Sequence, residues 1–289
     1  MKIFIWGHKL HEHTHSYIHS SYYKAFEYLG HEVYWIDRRD DLSQFDFSDS
    51  IFFTENSVKD GMPLRKDCKY ITHHIDTNYF LKNDIPYKNV IKLGNYLPSL
   101  EIHEKVDHLA YWDKSTRTLY QCWGTDLLPE EIDENNPGYF DPSRKDIHYV
   151  GMLYEQGPWW AQEIANIAMR KNNVQLNIYT QNASDEENRN LIRESFICPD
   201  FRSDWHLQCG YIPCRIFKNI SYGRIVGTNS PFIKRAFGDY VSFGGTPETL
   251  YDNLLKSEID KNIDIKDAMI FVKENHTFIN RINNILKFL

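Results

Sequence analysis

Short apolar runs alternate with stretches of helical periodicity, then start again after a break, and this repetition limits what the chain can fold into. Lys2–Trp6 is an apolar run ending at Gly7, as suits a strand buried on both faces of a parallel sheet. Ile18, Tyr22, Ala25, Phe26 and Leu29 then recur at helical spacing, with Gly30 where a helix C′ residue belongs. Further strands are expected at Glu32–Ile36, Ser50–Phe53, Lys69–Thr72 and Asn89–Leu93, with Thr118–Trp123 as the last of this half. From Gly124 to Asp146 the composition shifts to three prolines, two glycines and a run of acids, the mark of a linker. The pattern restarts with strands at His148–Val150, Val174–Tyr179, Phe196–Cys198, Arg224–Thr228 and Tyr240–Ser242. Helices are expected at Trp159–Arg170, Asp185–Arg193, Cys214–Ser221, Pro231–Phe237 and Pro247–Leu255. Ile265–Leu289 reads as one long helix carrying a stripe of Phe278, Ile282, Ile285, Leu286 and Leu289. The expected class is α/β with two doubly wound parallel-sheet domains, 1–124 and 147–264. Residues 125–146 form the linker, and the closing helix 265–289 packs back toward the first domain. Ligands of such sheets bind beyond the carboxyl ends of the strands. Two such edges across a cleft would suit group transfer between two substrates.

The bulk properties agree. A chain of 289 residues is long for one core. A net charge of −7 argues against general nucleic-acid binding. Aromatic residues reach 15%, with 19 tyrosines and 7 tryptophans, an enrichment that serves carbohydrate or base stacking as well as cores. Cys68, Cys122, Cys198, Cys209 and Cys214 form no CxxC pair, so reduced thiols in a cytoplasmic protein are expected. MKIFIW runs straight into a strand, without the apolar segment of a leader. No run of about 18 apolar residues offers a membrane span.

The segment Gly210–Ser230 carries the strongest chemical signal. Arg215 and Lys218 stand three residues apart at the start of a short helix, after Tyr211-Ile212-Pro213 and before Gly223. Two cations beside a helix N-terminus make an anion site fit for a diphosphate. The leaving oxygen of a sugar diphosphate needs its charge met, by a metal on an Asp-x-Asp pair or by fixed cations. The chain has no Asp-x-Asp, so a metal-independent reaction with Arg215 and Lys218 as catalytic cations is expected, and no cofactor. An ordinary solvated helix face is the plainer alternative. Donor contacts are expected from Gly151 and Thr180 at strand ends and from Tyr211, Ile212 and Pro213 beside the base.

The first domain offers His8, His11, His13, His15 and His19 around its first loop. Three readings stand: a metal site, for which no neighbouring ligand completes the set; contacts from Thr14 and His15 to acceptor or donor sugar; and plain solvated histidines. Thr54-Glu55-Asn56 and His73-His74-Ile75-Asp76 follow strands and should open toward the cleft. Glu55 can orient an acceptor hydroxyl. His73 or His74, tuned by Asp76, can bind sugar or act as a base. A purely structural histidine pair is the competing reading. The last helix, with Lys273, Arg281 and Lys287 beside its stripe, either grazes an anionic membrane or packs against the first domain.

Taken in order, several segments resemble the GT-B glycosyltransferases, most of all their retaining, nucleotide-sugar-dependent branch. Trp123-Gly124-Thr125-Asp126 with Pro129 resembles the Asn-Gly-Val-Asp…Pro segment closing the family's first domain. His148-Tyr149-Val150-Gly151-Met152 resembles the Tyr-Val-Gly-Arg opening of the second. Gly210–Gly223 resembles the Pro-x-Arg-x-Phe-Glu…Gly donor segment, Gly244–Leu250 is similar to Gly-Asp-x-Glu-x-Leu, and His276-Thr277-Phe278 with Arg281 resembles His-Thr-Tyr…Arg. The resemblance implies two Rossmann-like domains with a cleft between them. It further implies a metal-independent transfer from a nucleotide diphosphate sugar to a glycan, lipid-linked or other hydroxyl acceptor, with retention favoured. The family's ribose-binding glutamate is replaced by Lys218 and its upstream partner by Gly210, so the nucleotide does not carry over. The alternatives are an inverting, fucosyltransferase-like enzyme, an epimerase on the same scaffold, and a non-catalytic nucleotide- or carbohydrate-binding module. No Gly-x-Gly-x-x-Gly follows either first strand, which disfavours a nicotinamide enzyme.

Overall fold

The computed structural model of the chain describes residues 1–9, 15–97, 110–180 and 184–289. Among the described residues the chain forms two units. Unit 1 takes Met1–Asn95, Val106–Asp126 and Phe278–Leu289, and unit 2 takes Tyr96–Lys105 and Leu127–Thr277.

Unit 1 is built on strands β1 (Lys2–Trp6), β2 (Glu32–Ile36), β3 (Ile51–Glu55), β4 (Lys69–His73), β5 (Val90–Gly94), β6 (Ala110–Asp113) and β7 (Thr118–Gln121). They join in one sheet of order β2-β1-β3-β4-β5-β7-β6, parallel throughout except for the β6–β7 pair. The edge strand β6 is absent from the sequence reading. Alternation along β1 sends Ile3 and Ile5 to one face and Phe4 and Trp6 to the other, and all four are buried. Helices α1 (His15–Tyr28) and α2 (Thr77–Leu81) belong to this unit.

Much of the aromatic excess is spent inside this sheet. Phe4 stacks on its register partners Tyr34 and Phe52 at 5.2 and 5.3 Å. Phe52 stacks in turn on Tyr70 at 5.6 Å. The four rings form a ladder across β2, β1, β3 and β4, each contact contributing about 0.5–1.5 kcal/mol beyond area burial.

Unit 2 runs β8 (Asp146–Val150), α3 (Gly157–Asn172), β9 (Gln175–Tyr179), α4 (Asp185–Glu194), β10 (Cys198–Asp200), α5 (Asp204–Gln208), α6 (Cys214–Ser221), β11 (Val226–Thr228), α7 (Pro231–Phe237), β12 (Val241–Phe243), α8 (Pro247–Asp260) and α9 (Ile265–Asn275). Strands β8 and β9 pair in parallel, as do β10, β11 and β12. The two pieces are stitched where Phe196 N–H donates to Asp146 C=O at 2.7 Å and His148 N–H donates to Ser195 Oγ at 2.9 Å. The effective order is β9-β8-β10-β11-β12, the same winding as in unit 1. In both units the strand order reverses beside the first strand, between β1 and β3 and between β8 and β10. Gly223, which ends α6, has φ +83°, and a Cβ there would lie 2.3 Å from Gly138 N, so only glycine fits.

The expected closing helix is two helices, α9 and α10 (Phe278–Leu286), parted at His276-Thr277. Phe278, Ile282 and Ile285 of α10 are buried, with Phe278 against Tyr22 of α1 at 4.8 Å. Of the stripe, Phe278, Ile282 and Ile285 are core while Leu286 and Leu289 are partly buried, so this helix packs within its own unit; Arg281 is 1% exposed. Its guanidinium donates to Cys122 C=O at 2.9 Å and Trp123 C=O at 3.0 Å, closing off the end of β7. Among the described residues no helix is long and apolar enough to cross a membrane.

Arg281→Met keeps the apolar stem but leaves those carbonyls buried and unmatched. It should destabilise the protein by about 1–3 kcal/mol, read as a lowered melting temperature.

Candidate functional site

The carboxyl ends of β8 and β10 converge on one buried carboxylate. Asp200, the last residue of β10, is fully buried and accepts from two arginines. Arg202 approaches through Nε at 3.0 Å and through Nη2. Arg215, from the first turn of α6, donates Nη1 to Asp200 Oδ1 at 2.9 Å and to Tyr149 Oη at 2.6 Å. Its Nε and Nη2 donate to Val150 C=O at 3.0 and 2.7 Å, and its guanidinium lies 3.7 Å from the centre of the Tyr149 ring. The Arg202 backbone is pinned by Asn229, which accepts from its N–H at 2.8 Å and donates to its C=O at 3.0 Å. One carboxylate faces two guanidinium groups, so the switch point of unit 2 retains positive charge. Proximity to Asp200 holds Arg202 above the ordinary arginine range, against a burial penalty that is the largest single influence.

The residues expected on the donor side are placed as follows. Arg215 is turned inward on this network, with its side chain 10% exposed. Lys218, one turn on, is also buried. Gly151 directly follows β8 with φ +133°, and the space a Cβ would fill is taken by Arg215 Nη2 at 2.2 Å. This glycine therefore makes room for the arginine. Thr180 is exposed at the end of edge strand β9. Ile212 and Pro213 are buried, and Pro213, as N-cap of α6, offers the helix start no side-chain acceptor. Tyr211 stacks on His206 at 4.9 Å and lies 5.2 Å from Tyr96, beside Trp205. Burial pushes the Tyr211 hydroxyl up. Asp200, Arg202 and Tyr149 were missed as site residues. Ending the strand at Cys198 put Asp200 and Arg202 into an anonymous loop, although the strand-end rule that pointed to Gly151 would have found them two residues later. A separate cavity of about 780 Å³, lined by Tyr139, Phe140, Gly223 and Glu258 among others, sits by the amino ends of these strands.

Unit 1 gathers imidazoles and a carboxylate at its own switch point. Gly7 C=O accepts from Trp35 Nε1 at 2.8 Å and from His19 Nδ1 at 3.0 Å. His8, next in line, takes φ +54° and brings Nε2 to 2.6 Å from Glu55 Oε1. Glu55 caps the turn after β3: Oε2 accepts from Ser57 N–H at 3.0 Å, and Oε1 also accepts the Ser57 hydroxyl. The bonds from His8 and Ser57 outweigh burial and hold this carboxyl far below the usual range. With both oxygens engaged, Glu55 is a fixed anchor in this arrangement. His15 opens α1, its ring 5.7 Å from that of His8 and 5.4 Å from that of His73. The nearest ligand atoms of His8, His15 and Glu55 lie within 4.8 Å of one another. The set that sequence spacing left incomplete is thus closed by a residue forty positions away.

The remaining first-domain candidates separate. His73 is buried, Nε2 3.1 Å from Asn95 Oδ1, and burial, then His74, lowers it to about 3. The His74 ring lies tilted against it with centres 3.8 Å apart; His74 has φ +59° and is exposed. Asp76 is exposed and caps α2, accepting from Asn78 N–H at 2.7 Å. His19 is a core residue rather than a solvated one: burial, then His8, lowers it to about 3. Thr14, His11 and His13 lie outside the described residues.

Two outcomes test this geometry. Asp200→Asn leaves two buried guanidinium groups facing each other without a counter-charge, and should cost about 3–5 kcal/mol in thermal or urea unfolding. His19 and His73 have folded pKa values of about 3 against 6.5 unfolded. The unfolded chain therefore binds their protons first, and stability is full above pH 6.5 and falls as pH drops from there toward 3. Each contributes a slope of about 1.4 kcal/mol per pH unit, and urea midpoints at pH 7 and 5 measure it.

No protein-family model matches the sequence, and no curated protein matches it. Solved structures do. An alpha,alpha-trehalose-phosphate synthase (UDP-forming) from Burkholderia xenovorans, in complex with glucose-6-phosphate, superposes with a TM-score of 0.50 and 10% identity, over 78% of this chain and 73% of that one. A TarM variant of S. aureus, in complex with fondaparinux, alpha-GlcNAc-glycerol and UDP, gives 0.49 and 12%, over 86% of this chain. This chain spans 56% of its length. An alpha-glucosyltransferase in complex with UDP and a 13-mer DNA gives 0.48 and 10%, over 98% of both. The fold is that of the GT-B glycosyltransferases, an α/β architecture dominated by parallel strands.

Proposed function

We propose that the protein is a glycosyltransferase that moves a sugar from a nucleotide diphosphate sugar to a glycan or other hydroxyl acceptor. The observation that carries this reading is the surplus positive charge where β8 and β10 end, at the sheet position where parallel α/β units hold anionic ligands. The GT-B fold supports it. In this reading Arg215 and Arg202 set the field of the donor site, while Lys218 and the start of α6 meet the diphosphate. Tyr211 and its aromatic neighbours flank the base. Groups already fixed in place need no reorganisation when charge develops on the leaving oxygen, so a metal is not required for that step. Five cysteines free of disulfides accord with a cytoplasmic setting.

We propose retention of configuration. The bond from the anomeric carbon to phosphate breaks with its electron pair going to phosphate oxygen, and the acceptor oxygen bonds the same face. The acceptor proton passes to the leaving phosphate, so no protein base is needed. This accords with a Glu55 whose oxygens are both engaged and with a His73 neutral at pH 7. His15, His74, Asp76 and Thr14 remain as acceptor contacts. A second reading, a nucleotide-binding module without turnover, is favoured by the full complement of protein partners on Arg215.

A screen of UDP-, GDP-, dTDP- and CMP-sugars by thermal shift and nucleotide release decides between them. Sugar-dependent release in the presence of chelator is expected; stabilisation without release identifies the binding module. Lys218→Met should abolish the donor-induced shift and lower turnover by about 10²-fold or more. An unchanged shift in that variant, or a donor-induced shift lost to chelator and restored by manganese, would overturn the fixed-cation assignment.

A further inference from the structure

We infer that His8, His15 and Glu55 bind a divalent transition-metal ion of the zinc class. Their ligand atoms lie within 4.8 Å of one another, and they come from three separate places in the chain: the loop after β1, the start of α1 and the end of β3. Convergence of this kind is set by the fold at the switch point of unit 1, not by local sequence. Two imidazole nitrogens and one carboxylate oxygen suit Zn²⁺, Co²⁺ or Ni²⁺, whereas Mg²⁺ and Ca²⁺ favour all-oxygen sets.

The surroundings are those of a held ligand set. Glu55 is 5% exposed, and Ser57 fixes the orientation of its carboxylate through backbone and hydroxyl, the support that metal-binding carboxylates usually have. No lysine or arginine among the described residues is ion-paired to it; its ionic partner is His8, 2.6 Å away. A proton now joins those two atoms. A metal ion would displace it, taking the Nε2 lone pair of His8 and Oε1 of Glu55, with His15 as third ligand. His8 reaches this position through a left-handed backbone at φ +54°, a conformation that a residue with a Cβ adopts only where its surroundings hold it. Three protein ligands leave a fourth position for water or a substrate hydroxyl.

The inference does not rest on the glycosyl-transfer reading, although His15 figures in both, and its test needs no turnover. Protein stripped with chelator is titrated with Co²⁺, followed by visible absorption, and with Zn²⁺, followed by calorimetry and melting temperature. One saturable site per chain is expected, with a tetrahedral Co²⁺ spectrum and a raised melting temperature. Glu55→Gln and His15→Ala, each checked for native circular dichroism, should weaken binding at least tenfold, while His31→Ala keeps it. His15→Ala preserves the test if the buried glutamate proves essential for folding. Absence of saturable binding in the wild-type chain, or binding unchanged in His15→Ala, would overturn the site.

Discussion

Unit 2 is organised around a carboxylate with no access to water. Asp200 is fully buried, and an ion in that position survives only if its partners are close and themselves well bonded. Two guanidinium groups supply that. Their remaining donors must then be matched, and Val150 C=O and Tyr149 Oη do so. From this one requirement follow the missing side chain at Gly151, the stacking of Arg215 on Tyr149, and the seat of α6 against the ends of β8 and β10. Such a network contributes little net stability, because the desolvation it must offset is large. Its effect is to fix where a positive field sits.

Both units wind in the same order, yet the chemistry at their switch points is opposite in kind. Unit 2 presents guanidinium groups that stay charged at every physiological pH. Unit 1 presents imidazoles, two of them pressed neutral by burial, around a single ionised glutamate. The first suits a phosphate-bearing ligand. The second suits neutral hydroxyls or a soft cation. One architecture thus carries two kinds of charge, distinguished only by which side chains follow the strands.

Most of the fold was legible in the sequence because its strands leave short apolar and aromatic runs, buried on both faces in β1 and half-exposed in the edge strand β2. Lys2–Trp6 and Glu32–Ile36 were read to the residue, as were the helices Cys214–Ser221 and Pro231–Phe237. The failures have physical causes. Strand β6 is a four-residue, half-exposed edge strand whose Ala110-Tyr111-Trp112 run is too short to mark a strand, and only its antiparallel pairing with β7 joins it to the sheet. The tail was read as one helix, but its stripe from Phe278 to Leu289 begins only after His276-Thr277, where the preceding helix stops. At the candidate sites, spacing along the chain could show Arg215 and the histidines but not their partners. Nothing local links Arg215 to Asp200 or His8 to Glu55; parallel winding brings strand ends together from distant parts of the sequence.

The membership of α10 in unit 1 bears on how the protein emerges from the ribosome. Tyr22 and its neighbours on α1 wait for Phe278, which is translated only after all of unit 2. Domains that finish early fold as they are made; unit 1 cannot. During synthesis its sheet carries an apolar groove along α1 that its own last helix has yet to fill, while unit 2 is already complete. Nascent unit 1 thus keeps that apolar surface uncovered until the segment after unit 2 has been made.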